Sequence, residues 1–258
     1  MHTDTILSEF TRQSSAFNAA PVMRSAETLQ TVVDSVPVGA NGGAWAEIAC
    51  GPGLVSRALS PRLRRIVGID LTQGMLTVGR SATTQAGITN VAFVQGDAIR
   101  LPVADGALDG AVTRFSLHHI PVPGRCVAEM ARAVRPGGLV IVADHVTTTD
   151  VDGAAWHQEI ERLRDPSHWT CLSTAALRAT GERARLVLQT ERTIPFSLEY
   201  EEWLTRGTGG EQARGLIDQL LRDRPAGADS FRVIAGAGGE RTLHLSFWLS
   251  VWQRPAGG

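Results

Sequence analysis

The sequence predicts an α/β fold built around a parallel sheet. From Ala44 onward, apolar runs and amphipathic segments alternate in the order strand, helix, strand, helix, strand, which is typical of parallel strands joined by helical crossovers. The first strand ends in the turn Gly51-Pro52-Gly53, and the second strand ends in Asp70. A glycine turn after one strand and an acidic residue after the next indicate a nucleoside-containing ligand at the carboxyl edge of the sheet.

Periodicity and breaker residues place the elements of the first half. Weak amphipathic patterns predict helices over 5–20 and 26–36, with Pro21 ending the first of them. The sheet is then predicted to begin with a strand at 44–49, a helix at 54–59, a strand at 66–70, a helix at 72–85 and a strand at 91–95.

The second half of the chain is less regular. The predicted elements are a strand at 108–113, a helix at about 121–134, a strand at 138–143, a short helix at 174–180, a strand at 185–194, helices at 199–204 and 211–221, and a final strand at 242–252. Residues 135–138 are interpreted as a helix stop and a turn in which glycine supplies positive φ. The segment 227–240 is too rich in glycine for an assignment. No internal repeat divides the chain, so we expect a single domain with a helical cap at 1–40, a ligand-binding core at 41–150 and a lid with the last strands at 151–258.

Charge and hydropathy limit the partners. The formal net charge of the 258 residues is -1, and no long basic run stands out, so we expect a small-molecule substrate and no nucleic acid. No apolar run reaches the length of a membrane span, and the first ten residues lack the order of a signal peptide. We therefore expect a soluble, cytoplasmic protein.

Lysine is missing from the sequence, so all 25 basic residues are arginine. Schiff-base catalysis, pyridoxal phosphate attachment and a phosphate-loop lysine are therefore excluded. The cysteines Cys50, Cys126 and Cys171 are odd in number and scattered. They match neither a disulfide framework nor metal-ligand spacing, so we expect reduced thiols and no metal site.

The residues around the glycine turn discriminate between two nucleoside cofactors. A dinucleotide needs G-x-G-x-x-G, but the third position here is Ser56, so the fingerprint is incomplete. A carboxylate at Glu47 would repel a phosphate, yet it could hold an ammonium group directly or through water. S-adenosylmethionine has an ammonium group, a ribose and no phosphate. Asp70 could accept hydrogen bonds from both ribose hydroxyls, and it could also cap the following helix.

Seven segments carry a resemblance to a known family: residues 10–13 (FTRQ), 49–53 (ACGPG), 68–72 (GIDLT), 95–97 (QGD), 117–119 (LHH), 135–138 (RPGG) and 163–168 (LRDPSH). Together they resemble the class I S-adenosylmethionine-dependent methyltransferases, in the ubiquinone/menaquinone-biosynthesis-like (type 11) branch. The resemblance implies a Rossmann-like, seven-stranded, mostly parallel sheet of order 3-2-1-4-5-7-6 with strand 7 antiparallel, N-terminal helices and a small helical lid. In the family, the first motif usually has Asp where this chain has Glu47, and the longer carboxylate should still reach the amino acid part.

The resemblance and the turn together predict the cofactor site. In this class an acid at the position of Asp97 binds the adenine amino group, and the next backbone N–H, that of Ala98, meets the ring. Leu71, Met75 and Ile99 would flank the purine or would simply belong to the core. The cofactor-binding residues predicted are Glu47, Cys50, Gly51, Gly53, Asp70, Leu71, Met75, Asp97, Ala98 and Arg114. The resemblance also implies that the segment with Phe10, Arg12, Gln13 and Phe17 folds over the cofactor.

Catalysis is assigned to the loop after the fourth strand, where His118 and His119 are candidate general bases. The alternative is that both rings only bind the backbone and shape the loop. Arg114 or this histidine pair would face the methyl group, and His145 and His168 are further candidates. The aromatic residues Trp156, Trp169, Phe196, Tyr200 and Trp203 would line an acceptor pocket or close a small lid core.

We therefore expect a methyltransferase that uses S-adenosyl-L-methionine on a small organic acceptor, such as a secondary-metabolite or quinone/phenol-like intermediate. Two alternatives remain: a protein that binds this cofactor but catalyses another reaction such as a cyclisation, and an NAD-dependent oxidoreductase. The sequence leaves open the acceptor atom and a homodimeric assembly.

Overall fold

A computed structural model describes residues 2–19, 26–37 and 43–256, with the side chains of 14–19 and 26 left out. The elements are α1 (His2–Ala19), α2 (Ala26–Asp34), β1 (Ala44–Ile48), α3 (Leu54–Leu59), β2 (Arg65–Asp70), α4 (Gln73–Gln85), β3 (Val91–Gln95), β4 (Leu108–Arg114), a 3₁₀ turn (Leu117–His119), α5 (Pro123–Ala133), β5 (Val134–Val146), α6 (Val151–Arg164), α7 (Thr174–Arg183), β6 (Val187–Glu199), α8 (Tyr200–Arg206), α9 (Gly210–Arg222), β7 (Phe231–Ala235) and β8 (Arg241–Gln253).

The strands form one eight-stranded sheet in the order β3-β2-β1-β4-β5-β8-β6, with β7 paired to β8. Strands β1 to β5 are parallel, and β8 runs antiparallel to both β5 and β6. The predicted Rossmann-like, mostly parallel sheet with an antiparallel terminal strand is confirmed. Because β1 and β4 are neighbours at the centre while β2 and β5 lie on opposite sides, the carboxyl ends of β1 and β4 frame a crevice.

One strand more than expected joins the sheet. Strand β7 pairs with the first half of β8, from Phe231 opposite Leu245 to Ala235 opposite Arg241. Strand β5 pairs with the second half, from Val146 opposite Ser246 onward, so β7 occupies the same side of β8 beyond the end of β5. The five apolar-rich residues of β7 lie within the glycine-rich segment, and the glycines that obscured the pattern form the hairpin turn, where Gly239 has φ 87°.

Helix α6 was not expected, because its buried face is partly polar. His157, Gln158 and Glu161 are all buried on this helix, so the apolar period of an ordinary amphipathic helix is interrupted. The segment 135–138 also differs from the prediction: α5 ends at Ala133, but β5 begins at once and contains a bulge between the pairs Leu108–Val134 and Gly110–Leu139. Gly137 adopts the expected positive φ, 78°.

Buried side chains pack on both faces of the sheet. Along β8, Phe247 and Leu249 belong to one core cluster and Trp248 and Trp252 to the other, as strand alternation requires. Within the described residues, no helix is long and apolar enough to span a bilayer.

Candidate functional site

The glycine turn bends the chain away from β1 in left-handed conformations. Ala49 and Gly51 have φ of 51° and Gly53 has φ of 72°. A Cβ on Gly53 would lie 2.5 Å from a ring carbon of Phe93, so this glycine permits close packing of the turn on β3. Gly53 therefore packs against Phe93 and does not face the cavity, whereas Gly51 lines the cavity.

The main cavity lies at the carboxyl ends of β1, β2 and β4 and holds about 1170 Å³ of space, its open mouth included. The predicted residues that line it are Glu47, Cys50, Gly51, Asp70, Leu71, Met75, Asp97, Ala98, Arg114 and His119. The structure thus brings together every predicted cofactor residue except Gly53. Ile99, which was expected to flank the purine, also lines this cavity, whereas Gly53 and the candidate bases His118, His145 and His168 do not.

Asp70 connects the turn to the second strand. Its Oδ2 accepts a hydrogen bond of 2.8 Å from the backbone N–H of Gly51, and its Oδ1 accepts one of 2.8 Å from the N–H of Thr72. Burial raises the pKa of this carboxyl although these bonds oppose the shift. Each carboxylate oxygen has two acceptor sites, so both the capping role and a role toward ribose hydroxyls are compatible with this geometry.

Glu47 is held by the residue that breaks the dinucleotide fingerprint. Its Oε2 accepts hydrogen bonds from the backbone N–H and the hydroxyl of Ser56, at 2.7 and 2.5 Å. Burial raises the pKa of Glu47 to about 7, against the lowering influence of Ser56 and of the Arg114 and Arg57 charges. A cation in the main cavity would favour the ionised form.

Asp97 begins a tight turn beside the cavity. Its Oδ1 accepts a hydrogen bond of 3.0 Å from the N–H of Ile99, and its carbonyl accepts one from the N–H of Arg100. Leu71 and Met75 line the cavity on the side of α4. The turn fixes the Asp97 carboxylate at the cavity wall, so the capping and ligand-binding interpretations are again compatible.

Helix α1 covers one side of the main cavity with His2, Thr3, Ile6 and Phe10. The Phe10 ring packs edge-on against His119, with ring centroids 4.8 Å apart. Arg12 and Gln13 do not line this cavity: they lie near Ser8 and Glu9 of their own helix. The side chain of Phe17, which was expected to fold over the cofactor, lies outside the described residues.

Arg114 lines the main cavity from the end of β4. Its guanidinium donates to the Thr28 hydroxyl at 2.7 Å and lies over the Phe115 ring. Burial lowers the pKa of Arg114 to about 10, although the Glu47 and Asp144 charges oppose the shift. The group therefore remains a cation at neutral pH.

A second pocket, which we call the histidine pocket, adjoins the main cavity. It holds about 540 Å³ and is lined by Phe115, His118, His119, His145, Glu161, Arg164, Asp165, Phe196, Leu198, Trp203, Arg206 and Leu245. Phe115 and His119 line both spaces. These two residues therefore form a shared wall between the two spaces.

The two candidate bases have different partners. The ring Nδ1 of His118 lies 2.7 Å from Asp144 Oδ1, and its backbone N–H donates to Asp144 Oδ2. The ring Nδ1 of His119 lies 3.0 Å from the carbonyl oxygen of Ser167, so this nitrogen carries the proton in the neutral ring. Burial and the nearby His118 lower the pKa of His119 to about 3, and the ring is therefore neutral at pH 7.

The loop-shaping alternative also has support. The carbonyl of His118 accepts hydrogen bonds from the N–H groups of Trp169 and Thr170, at 2.8 and 3.0 Å. The backbone of this histidine therefore fixes the loop after α6, while its ring points to Asp144. The loop-shaping role is therefore observed for the backbone of His118, and the role of its ring as a base stays a prediction.

The five predicted aromatic residues were expected either to line an acceptor pocket or to close a small lid core. Trp156, Phe196, Tyr200 and Trp203 are all buried in one core cluster, and Phe196 and Trp203 also contribute to the wall of the histidine pocket. Trp169 is 41% exposed. The lid core thus accounts for most of them.

Several polar residues of this region were not expected from the sequence. Asp144, His157, Glu161 and Cys171 are buried within reach of His118 or His145. They come from β5, α6 and the loop after α6, and their spacing matches no known ligand motif. One spacing could have indicated this cluster: His157 and Glu161 are four residues apart. Two such residues lie side by side only in a helix, and the helix α6 was not predicted.

Comparisons with known proteins agree with this geometry. A family model described as a methyltransferase domain matches residues 46–142. The chain is 28% identical over 206 residues to the uncharacterized methyltransferase YcgJ of Bacillus subtilis, covering 80% of each protein. The crystal structure of YcgJ superposes with a TM-score of 0.83 at 26% identity, covering 90% of this chain and 99% of that one. The chain belongs to the class I S-adenosylmethionine-dependent methyltransferases.

Two further methyltransferases show how wide the likeness is. The demethylmenaquinone methyltransferase of Staphylococcus aureus is 26% identical over 212 residues, covering 78% of this chain and 74% of that protein. A geranyl diphosphate methyltransferase solved in complex with S-adenosylmethionine shares the fold, with a TM-score of 0.62 and 18% identity over 89% of this chain and 85% of that one. The methyltransferase described here thus has fold neighbours that bind this cofactor.

Proposed function

We propose that this methyltransferase binds S-adenosylmethionine in the main cavity and transfers its methyl group to a small acceptor in the histidine pocket. The observation that carries the proposal is the wall shared by the two spaces, made by Phe115 and His119. Methyl transfer is an in-line displacement, so donor and acceptor must meet across one short boundary. Two adjoining spaces at the carboxyl end of β4 support the proposal, because a donor in one and an acceptor in the other could meet where Phe115 and His119 border both.

The main cavity offers a matching group for each part of the donor. Glu47 would hold the ammonium group, and the backbone of the glycine turn would receive the methionine carboxylate. Asp70 would accept the ribose hydroxyls, and Asp97 would accept the adenine amino group. Arg114, beside Glu47, lowers the pKa of that carboxyl in part against the larger effect of burial, and it would lie near the methionine part. Support comes from the presence of all these residues in the lining of one cavity.

Residues 1–40, 41–150 and 151–258 would act as cap, core and lid. Helix α1 covers the main cavity, whereas β1 to β4 and their loops provide most of its wall. The far wall of the histidine pocket comes from the last part of the chain, with Glu161, Phe196 and Trp203 among its residues. Donor recognition would thus belong to the core and acceptor recognition to the lid.

The acceptor would be a small, partly aromatic molecule with an ionisable oxygen, such as a phenol or a quinol. Phe115, Phe196 and Trp203 provide apolar walls, and His118 provides a ring nitrogen beside them. In the reaction, the acceptor oxygen forms a bond to the methyl carbon while the bond from sulfur to that carbon breaks, leaving S-adenosylhomocysteine. The acceptor proton passes to Nε2 of His118, whose Nδ1–H is directed to Asp144. The similarity to a demethylmenaquinone methyltransferase favours this acceptor class.

An acceptor screen tests the proposal. The purified protein is incubated with S-adenosylmethionine and a panel of phenols, quinols and aliphatic amines, and S-adenosylhomocysteine and methylated products are measured by mass spectrometry. We expect equal amounts of both products with at least one phenol or quinol. Tight cofactor binding without S-adenosylhomocysteine from any acceptor would instead favour the non-methylating alternative. Turnover confined to the amines would contradict the acceptor class.

The raised pKa of Glu47 makes cofactor affinity depend on pH. The ammonium group binds the ionised carboxylate, so affinity for S-adenosylhomocysteine should rise with pH up to about 7 and then level off. Below that value it should fall by about tenfold per pH unit. The stability of the free protein should follow the opposite trend. Because the pKa of Glu47 is higher in the folded state, the stability contributed by the protonated carboxyl should be lost as pH rises from about 4.5 to about 7.

Calorimetry between pH 5.5 and 7.5 measures this dependence, in two buffers that differ in ionisation enthalpy. Glu47→Gln should weaken binding at pH 7.5 and remove most of the proton release that accompanies binding at pH 6. Glu159→Gln, which changes an exposed carboxyl, should retain the wild-type profile. A wild-type pH profile in the Glu47 variant would show that this carboxylate does not hold the ammonium group.

A further inference from the structure

Four buried side chains beside the histidine pocket form what we call the His-Glu-Cys cluster: His145, His157, Glu161 and Cys171. His145 is on β5, His157 and Glu161 lie on one face of α6, and Cys171 is in the loop that follows α6. One ligand atom from each of His145, His157 and Cys171 lies within 4.8 Å of the other two. Three separate segments thus converge on one buried point.

Two imidazole nitrogens in this cluster have no partner among the described residues. The Nε2 atoms of His145 and His157 are buried and accept or donate no hydrogen bond. Both lie 3.8 Å from the same oxygen, Oε1 of Glu161. This distance is too long for a hydrogen bond, and buried polar atoms without partners are costly. The arrangement therefore requires a cation or a proton between these atoms.

The opposite side of each ring determines what its Nε2 can offer. Nδ1 of His157 lies 3.0 Å from the Thr147 hydroxyl, and Nδ1 of His145 lies 3.3 Å from Asp144 Oδ1. With its Nδ1–H directed to the Thr147 hydroxyl, the neutral His157 ring presents an Nε2 lone pair toward Glu161. The Nδ1 of His145 forms an ion-pair contact with Asp144, and a metal ion would take the place of any proton on its Nε2. A carboxylate or hydroxyl behind each imidazole is the usual outer shell of a histidine that binds a metal.

Cys171 is held where its sulfur can complete the set. Its backbone N–H and carbonyl are both bound by the side-chain amide of Gln158, at 2.8 and 2.7 Å. The thiol donates to the carbonyl of His145. Ligands of a tetrahedral Zn²⁺ lie about 3.3 to 3.8 Å apart, given bond lengths of about 2.0 to 2.3 Å. The ligand atoms of His145, His157 and Cys171 lie within 4.8 Å of one another, so these three side chains would move closer together by about 1 Å to bind an ion.

We propose that the His-Glu-Cys cluster binds one divalent transition-metal ion of the zinc type. Nitrogen, thiolate and carboxylate ligands in one buried set favour Zn²⁺ or Co²⁺ over Mg²⁺ or Ca²⁺. The ion enters from the histidine pocket, because His145 and Glu161 line its wall. On binding, Cys171 loses its thiol proton to the solvent and becomes a thiolate. The inference does not rest on the proposed function, since it requires neither cofactor nor acceptor.

Cobalt provides a direct test, because Co²⁺ bound to a thiolate gives a sulfur-to-metal charge-transfer band and strong visible absorption when tetrahedral. The metal-free protein is titrated with Co²⁺, and Zn²⁺ is then added in competition. We expect both signals to saturate at one equivalent and to disappear on addition of Zn²⁺. Cys171→Ala should abolish the charge-transfer band. Loss of a residue that only hydrogen-bonds to a metal ligand weakens metal affinity by roughly 10- to 100-fold. Because His157 would be a ligand itself, His157→Gln should weaken Co²⁺ affinity by more than that.

Cys126→Ala is the matched control, because Cys126 is equally buried but lies on α5 outside the cluster. It should retain the full cobalt spectrum. A folded wild-type protein that gives no saturable signal, or a Cys171 variant that retains the band, would overturn the proposal in favour of a shared proton or an adventitious site. If a variant does not fold, X-ray absorption of the zinc-loaded wild-type protein decides: one sulfur and two or more nitrogens in the first shell are expected, and a shell of oxygens alone contradicts the site.

Discussion

Replacing Asp70 with alanine should weaken S-adenosylhomocysteine binding by at least about a hundredfold. Two charge-assisted hydrogen bonds to the ribose hydroxyls would be lost, at roughly 1.5 to 3 kcal/mol each. Every 1.4 kcal/mol corresponds to about a tenfold change in Kd. Isothermal titration calorimetry on the purified variant measures the loss.

Asp109 provides a matched control for this experiment. Its carboxylate also accepts a hydrogen bond from a backbone N–H, that of Ala44, at 2.7 Å. Asp109 lies on β4 beside the first residue of β1, at the edge of the sheet opposite to the main cavity. Asp109→Ala should therefore leave the affinity within about twofold. Unchanged binding by a folded Asp70 variant would mean that the carboxyl end of β2 does not carry the ribose.

Replacing His118 with glutamine should lower turnover of a phenolic acceptor by about a hundredfold or more, since general base catalysis contributes roughly 10² to 10⁴. The substitution should leave S-adenosylhomocysteine affinity unchanged, because His118 lines the histidine pocket and not the main cavity. Steady-state kinetics and calorimetry on the same preparation separate the two effects.

A nitro-substituted phenol sharpens the test, because it is already ionised near neutral pH and needs no base. The defect of the His118 variant should largely disappear with such an acceptor. His244→Gln, at a ring bound to Ser197 on the exposed side of β8, should have wild-type activity with both acceptors. An equal defect of His118→Gln with both phenols would indicate that His118 shapes the loop rather than accepting a proton.

Local patterns were sufficient to predict the parallel strands β1 to β5 and the residues at their carboxyl ends, whereas the strand order was implied by the family resemblance. The turn at 49–53, Ser56 in place of a third glycine, and acids at the ends of β2 and β3 are all adjacent to elements with regular periodicity. The carboxyl ends of parallel strands lie at one edge of the sheet. Residues that follow successive strands in the sequence are therefore close together in the structure. Gly53 is the exception, because a glycine can face either a ligand or a packed ring.

The histidine pocket could not be predicted in this way. Helix α6 buries His157 and Glu161, so its polar inner face hid the helical period. Strand β7 was concealed among glycines. The His-Glu-Cys cluster forms because β5, α6 and the loop after α6 pack together. No residue spacing in the sequence indicates that these three segments are in contact. The expectation of no metal site came from spacing alone and is replaced here by the proposal for the His-Glu-Cys cluster.

The central claim, that the main cavity holds S-adenosylmethionine, is tested most directly by a competitive titration. S-adenosylhomocysteine and NAD are titrated separately into the purified protein by calorimetry, and each is then titrated in the presence of the other. We expect saturable binding of S-adenosylhomocysteine at one equivalent, unaffected by NAD, because Ser56 and Glu47 replace the features that a pyrophosphate needs. Tighter binding of NAD, or its displacement of S-adenosylhomocysteine, would contradict the account.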